Sequence, residues 1–287
     1  MPRIKYRKGG SLADFSAWER SDGSIVPEID MPSGVFTIAR DGQLFGKTAR
    51  MVFILGRRTV FAATSPFQDI AQYLVGGQSA INIPDVGTTY YLNSTSTNDS
   101  ANGTGARTVR IVWLDSNGLQ QVTTKTLNGT TAVNIGSGYS FIQWMETATA
   151  GSTGAAVGDI TISSINGVAT EATTIEMIKA AGNRSLSGRY KVPAGSTAYL
   201  TGWHASAAGS QAMDVRLRAT VFADDRSNSS VFHFQATMYL ASAAELSDEI
   251  DYYKCLAGSI IKVSAFPAAT TGTPRCDVNF HMLVIED

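Results

Sequence analysis

Any catalysis by this chain would have to start from its three histidines, its two cysteines and a few clustered carboxylates. His204, His233 and His281 each stand in an alternating run of strand type, where a lone histidine is a satisfied structural residue more often than a base or ligand. Cys255 and Cys276 lie far apart with no local histidine, a spacing that makes no zinc site. Neither a Gly-X-Ser-X-Gly elbow nor a His-Glu-X-X-His pair occurs. Asp224-Asp225, beside Arg226, Ser227 and Asn228, has the carboxylates for a surface cation, but the same residues make an ordinary hairpin tip. Asp248, Glu249 and Asp251, next to Tyr252 and Tyr253, read as a solvated acidic loop, with contact to a basic partner as the functional counterpart. Trp203 beside His204 has the types to stack on a sugar, although a tryptophan in such a strand is more commonly buried. No catalytic, cofactor or metal residue is assigned, and the chain is expected not to be an enzyme.

One nucleotide-site decoy is worth dismantling. After a candidate strand at residues 35–38, Gly42-Gln43-Leu44-Phe45-Gly46-Lys47-Thr48 looks like a phosphate-binding loop, and residues 109–114 ending at Asp115 look like a metal-holding strand. A phosphate loop needs four residues between its glycines, so that successive N–H groups encircle the phosphate. Here there are three, and the β-branched and aromatic residues 51–55 follow where a helix should start. A hairpin is expected instead.

The elements that would position any site are strands. Residues 107–114 alternate, with Val109, Ile111 and Trp113 on one face and Thr108, Arg110, Val112 and Leu114 on the other. Asp115-Ser116-Asn117-Gly118 turns the chain, residues 122–127 return, and Asn128-Gly129 turns it again. The stretches 198–205, 212–222, 231–240, 259–266 and 275–285 continue the rhythm. Val192-Pro193-Ala194-Gly195-Ser196 and Cys255-Leu256-Ala257-Gly258-Ser259 form a quasi-repeat, each an Ala-Gly turn launching a strand. Residues 65–75 predict the one helix: Ser65 caps, Pro66 follows, and Phe67, Ile70, Ala71 and Leu74 fall at helical spacing before Gly76-Gly77. At residues 173–181 a capping-box pattern, Thr173 with Glu176, competes with a strand over 175–178, and the strand is preferred. The chain is thus expected to be all-β, a two-sheet jelly-roll-like sandwich (77–287) behind an N-terminal docking section (1–76) of arm, hairpin and short helix.

Composition excludes several classes. With 23 basic and 24 acidic residues, the formal net charge of −1 argues against a dedicated nucleic-acid binder. No stretch reaches the ~20 apolar residues of a membrane-spanning helix, and no secretory leader is evident. Two cysteines are too few for a disulfide framework, which points to folding in a reducing cytoplasm. No nucleic-acid or membrane partner is expected.

A resemblance enters at residues 95–160. Thr95-Ser96-Thr97-Asn98-Asp99-Ser100, Gly103-Thr104-Gly105-Ala106-Arg107-Thr108-Val109-Arg110-Ile111, Leu127-Asn128-Gly129-Thr130-Thr131, and Ala150-Gly151-Ser152 with Gly158-Asp159-Ile160 resemble a module of tailed-bacteriophage virion proteins. Residues 192–201 (Val-Pro-Ala-Gly-Ser-Thr-Ala-Tyr-Leu-Thr) extend the likeness, which covers roughly residues 90 to 287. The module's usual acidic strand is here the neutral Gln120-Gln121-Val122-Thr123-Thr124. The resemblance implies a virion structural protein: a capsid decoration or cement protein bound to the major capsid protein or other virion subunits, or a fibre-associated receptor- or glycan-binding module. A homo-oligomer is expected because residues 197–208 and 231–240 carry no charge with His204 and His233 neutral, so they lack the usual guard against strand pairing. A trimer follows from the resemblance alone.

Arg3, Lys5, Arg7 and Lys8 give the first ten residues four positive charges and no acid. They are the candidate partner-docking residues, since four such side chains cannot bury themselves in their own fold and suit an acidic neighbour. Deleting residues 1–10 is therefore expected to leave the melting temperature nearly unchanged while weakening incorporation into particles, more so at high salt. Calorimetry and particle composition by gel check both halves. Normal incorporation of the truncated chain would count against docking by this segment.

Overall fold

The structure, a computed structural model, describes residues 16–19, 25–28, 43–44, 47–63, 66–209, 211–220, 234–241, 244–270 and 274–286. Residues 1–10, with the four basic docking candidates, lie outside them, as do His233, Asp224 and Asp225. Two compact units divide the chain, Met1–Met51 and Val52–Asp287. In the first, β1 (Ser16–Glu19) pairs with β2 (Ile25–Glu28), and β3 (Gln43–Leu44) pairs with the start of β4 (Lys47–Arg58), Leu44 opposite Lys47. A hairpin thus stands where the phosphate-loop decoy lay.

The second unit carries short strands first: β5 (Gln68–Asp69), β6 (Tyr90–Ser94), β7 (Ala106–Leu114), β8 (Gln120–Thr126), β9 (Val133–Gly136), β10 (Phe141–Ala150), β11 (Ile160–Ser163), β12 (Thr174–Ile178) and β13 (Arg189–Lys191). Mostly longer ones follow: β14 (Ser196–Ala208), β15 (Met213–Ala219), β16 (Phe234–Leu240), β17 (Glu245–Cys255), β18 (Ile260–Pro267) and β19 (Arg275–Glu286). The protein is all-β, and no helix occurs among the described residues. The preference for a strand at β12 holds.

These strands do not build one two-sheet sandwich. They form several small antiparallel sheets around two main cores. The sheets β10-β7-β8 and β12-β11-β6-β9 share the first core, where Val109, Ile111, Ile142 and Met145 meet Leu92, Ile135, Ile160, Ile162 and Ile178. The sheets β13-β18-β15-β16 and β17-β14-β19-β4 share the second, built on Leu200, Trp203, Phe280 and Met282 with Val215, Leu217, Val263 and Leu240. The physical reason is that one end of the β7–β10 pair is apolar on both faces, while Arg110 and Glu146 keep the rest of the outer face open to solvent. Leu114 and Phe141 face away from the first core and pack with Ile260 of β18, with Ile83 against them. A strand buried on both sides cannot be the outer layer of a simple sandwich. Each such buried side chain contributes roughly 2 kcal/mol of transfer free energy.

The residues that carry the phage-module resemblance have a structural task. The Asp99 carboxylate is wholly buried and accepts four hydrogen bonds, from Ser94 Oγ (2.6 Å) and from the backbone N–H groups of Ala106 (2.8 Å), Val157 (2.9 Å) and Gly158 (2.7 Å). It therefore knots three separate segments into one. The glycines beside it allow the close approach: a Cβ on Gly105 would lie 2.1 Å from Asp99 Oδ1, and one on Gly151 would lie 2.4 Å from the Gly103 carbonyl oxygen.

The helix expected over 65–75 does not form. Residues 68–69 are strand β5, paired with β18 (Asp69 opposite Ser264), and Ala71 bridges Ser187. Tertiary structure overrides the local pattern because both edges of the segment are used. Ile70 N–H donates to the Val263 carbonyl (3.0 Å), and the Ile70 carbonyl accepts from Gly188 N–H (2.7 Å). The side chains are used too: Gln68 clamps the Ala62 backbone, and Asp69 Oδ2 faces Lys262 Nζ at 3.3 Å with both groups buried. Arg58, buried as well, donates to the carbonyls of Val60, Asp69 and Gln78 (2.6, 3.0 and 2.8 Å). Burial pushes its pKa down to about 10 against the opposing pull of Glu171 and Asp69.

Replacing Asp99 with Asn turns one acceptor oxygen into a donor aimed at N–H groups. This change is expected to cost about 3 kcal/mol and to lower the melting temperature by roughly 6–12 °C. Circular dichroism melts of Asp99→Asn, with the exposed surface change Asn117→Ala as the comparison, measure it. Equal and small shifts for both would show that the knot is dispensable.

Candidate end cleft

Three turns converge at one place in the second unit. Between β7 and β8, Asp115 Oδ1 accepts from the N–H groups of Asn117 (2.9 Å) and Leu119 (3.0 Å), and Gly118 takes the left-handed φ of 76° that the turn requires. Slight desolvation would raise the Asp115 pKa, but these donations and one from Gln121 outweigh it and hold the carboxyl below its usual value. The two quasi-repeat turns stand beside it, with Gly195 at φ 70° and Gly258 at φ 83°. They are bonded to each other: Val192 N–H donates to the Ser259 carbonyl (2.9 Å) and Gly258 N–H to the Val192 carbonyl (2.8 Å). Ala194 N–H then donates to the Gly118 carbonyl (2.8 Å), joining the third turn to the pair. The quasi-repeat in the sequence is thus the two halves of one corner.

Together with the segment 83–86 these turns line an open cleft of about 670 Å3. Asp85, Ser116, Asn117, Ser140 and Lys191 supply its polar groups, and Ile83, Val86 and Val192 its apolar ones. Ser140 is held by donating to the Asp115 carbonyl (2.6 Å). A second groove of about 390 Å3, between the same segment and Tyr90, Ser164 and Ile175, shares Ile83 and Asp85 with the first. Val86, Leu119 and Leu256, each about half exposed, lie in or next to these turns. The chemistry this arrangement supports is hydrogen bonding with apolar contact, which is recognition of a polar loop or a hydroxylated ligand. Nothing in the sequence singled out the cleft except the two Ala-Gly turns.

The residues first considered for chemistry lie elsewhere. Trp203 is only 1% exposed and belongs to the second core, so it does not stack on a ligand. His204 Nε2 lies 2.7 Å from Glu245 Oε1 across the outer face of the β14–β17 pair. His281 lies on that same outer face, 5.9 Å from the Phe53 ring centroid; burial lowers its pKa, with Glu249 acting in the opposite direction. Asp248 and Glu249 are not in a loop. They sit in strand β17, paired with β14, and not in the solvated acidic loop expected from the sequence. No group of three or more His, Cys, Asp or Glu that could hold a metal ion occurs among the described residues. No helix among them is long and apolar enough to cross a membrane.

No protein-family description and no curated protein matches the chain. Three solved structures give weak likenesses. The subviral particle of infectious bursal disease virus VP2 is 7% identical with a TM-score of 0.21, over 83% of this chain and 72% of that one. The CBM22-1-CBM22-2 tandem domain of Xyn10C from Paenibacillus barcinonensis is 11% identical with a TM-score of 0.18, over 85% and 95%. The PBSX exported protein XepA is 10% identical with a TM-score of 0.15, over 99% and 100%. All three scores are far below 0.5, and nothing about this chain is taken from them.

Both cysteines are free and buried; burial pushes Cys255 up to about 12 and raises Cys276 further. Cys255 stands opposite Ala198 and Cys276 opposite Ala207 of β14. At ~3.3 Å per residue along that strand they are roughly 30 Å apart, far beyond disulfide reach. Neither thiol is expected to react with iodoacetamide in the native protein, and both should do so after denaturation without reductant. Mass spectrometry of the alkylated chain reads this directly, and a missing pair of labels would reveal a disulfide.

Proposed function

We propose that this chain is a non-enzymatic structural protein of a tailed-phage virion, a capsid decoration or cement protein that binds the major capsid protein as a homo-oligomer. The observation that carries the reading is how the resembling residues are used. Asp99 and the surrounding glycines are consumed in a buried knot, so the motif builds a rigid scaffold and presents no reactive group. A scaffold of small cross-braced sheets suits adhesion, in which a stable contact of more than ~1,000 Å2 is assembled from rigid surface. A trimer on local three-fold positions of the capsid is the favoured form, on the strength of the sequence resemblance.

A second reading, a fibre-associated receptor- or glycan-binding module, is favoured by the open, polar-lined end cleft. One experiment separates the two. Purified chain is mixed with capsids lacking it and with a glycan array. A cement protein is expected to co-sediment with capsids and to raise their disassembly temperature, leaving the array blank. Glycan binding that Ser140→Trp abolishes, with no effect on capsids, would replace the first reading with the second.

A further inference from the structure

We propose that β17 accepts strand addition by the basic segment 3–8 of a second copy of this chain, an inference that rests on the assembly role proposed above. β17 is the outer strand of its sheet. One edge pairs with β14, from Ala198 opposite Cys255 to Ser206 opposite Glu245, and no strand among the described residues pairs with the other. Such an edge presents a row of backbone donors and acceptors ready for another strand.

The side chains of this edge are sorted by face. Glu245, Ser247 and Glu249 stand opposite Ser206, His204 and Gly202 on the outer side, all three exposed, and the Glu245 side chain is 74% exposed. Leu246, opposite Ala205 and 44% exposed, and the exposed Asp248, opposite Trp203, lie on the inner side, and Ile250 packs against the second core. Two such acidic edges repel one another, so β17 is guarded against pairing with itself and open to a strand of opposite charge.

The segment Arg3-Ile4-Lys5-Tyr6-Arg7-Lys8 has the complementary alternation. In extended form Arg3, Lys5 and Arg7 share one face while Ile4 and Tyr6 share the other. With Lys5 opposite Ser247, Arg3 and Arg7 fall opposite Glu249 and Glu245, or the reverse, whichever way the added strand runs. Tyr6 or Ile4 then covers Leu246, and the other of the two lies beside Asp248. The match in charge, period and length names the occupant, and donation between copies makes the edge an assembly contact.

The test uses full-length chains. One carries Lys5→Cys and the other Ser247→Cys, and they are mixed under mild oxidation, with the native cysteines buried. A disulfide-linked dimer of the two variants is expected, with no such dimer when the acceptor cysteine is moved to Asn117→Cys. The yield should fall roughly fivefold between about 0.05 M and 0.5 M salt, or on adding Glu245→Lys and Glu249→Lys to the acceptor. Adding Arg3→Glu and Arg7→Glu to the donor should restore it. A yield insensitive to charge reversal would overturn the proposal, as would crosslinking only within single chains of a doubly substituted variant. Loss of crosslinking with capsid binding intact would discard strand addition and leave the assembly role standing. Crosslinking without capsid binding would discard the assembly role instead.

Discussion

The Arg189 guanidinium is the interaction on which the second unit depends. It is wholly buried, and it donates to the carbonyls of Asn82 (2.7 Å) and Ile175 (2.8 Å) and to Glu176 Oε2 (3.2 Å) while lying 5.2 Å from the Phe141 ring centroid. One side chain thereby touches β10, β12, the segment leading to β6 and, through its own backbone, β18. Glu176 is buried with it. Desolvation pushes its pKa up, opposed by the Arg189 charge and by the Ser187 hydroxyl that donates at 2.6 Å. A buried pair of this kind adds little net stability over apolar residues of the same size, yet loss of either partner leaves a charge stranded at a cost of about 3–5 kcal/mol. The pair therefore ties β12 to β13 and the segment before β6 rather than adding net stability.

The same logic extends along residues 66–89, which link the cores with no named strand of their own beyond β5. Asn82 Nδ2 donates to the carbonyls of Glu171 (2.8 Å) and Thr174 (2.7 Å), and Asn82 N–H donates to the Tyr73 hydroxyl (2.7 Å). Glu171 in turn accepts from the N–H groups of Val75 and Gly77, both at 2.9 Å. At the wall of the end cleft Asp85 N–H likewise donates to the Tyr90 hydroxyl (2.8 Å), so backbone outside the sheets is held by side-chain partners.

Strands whose two faces differ were legible in the sequence. β7, β14, β15, β18 and β19 fall where alternation placed them, within a few residues. What the sequence did not disclose depends on long-range partners. The apolar spacing at residues 67–74 is a good helical pattern, and only distant partners, β18 on one edge and residues 186–188 on the other, make it extended. The acidic run at 245–251 looks like loop until β14 is present to pair with it. β14 itself, uncharged and expected to need a neighbouring copy, is enclosed between β17 and β19 within its own chain. The motif residues around Asp99 were visible as a pattern, but their role was not, because four donors from three segments converge only in the folded chain.

The two cores also impose an order in time. The first core is built entirely from residues between Tyr90 and Ile178, so its contacts close soon after that stretch is synthesised. The second joins Val52 and Ile54 to Phe280 and Met282, and its buried Lys262–Asp69 pair spans 193 residues. On the ribosome β5 and the β19-facing edge of β4 must therefore wait for their partners until nearly the whole chain has emerged, while the central piece folds ahead of them. The apolar residues flanking that early-folding piece are the last to be buried.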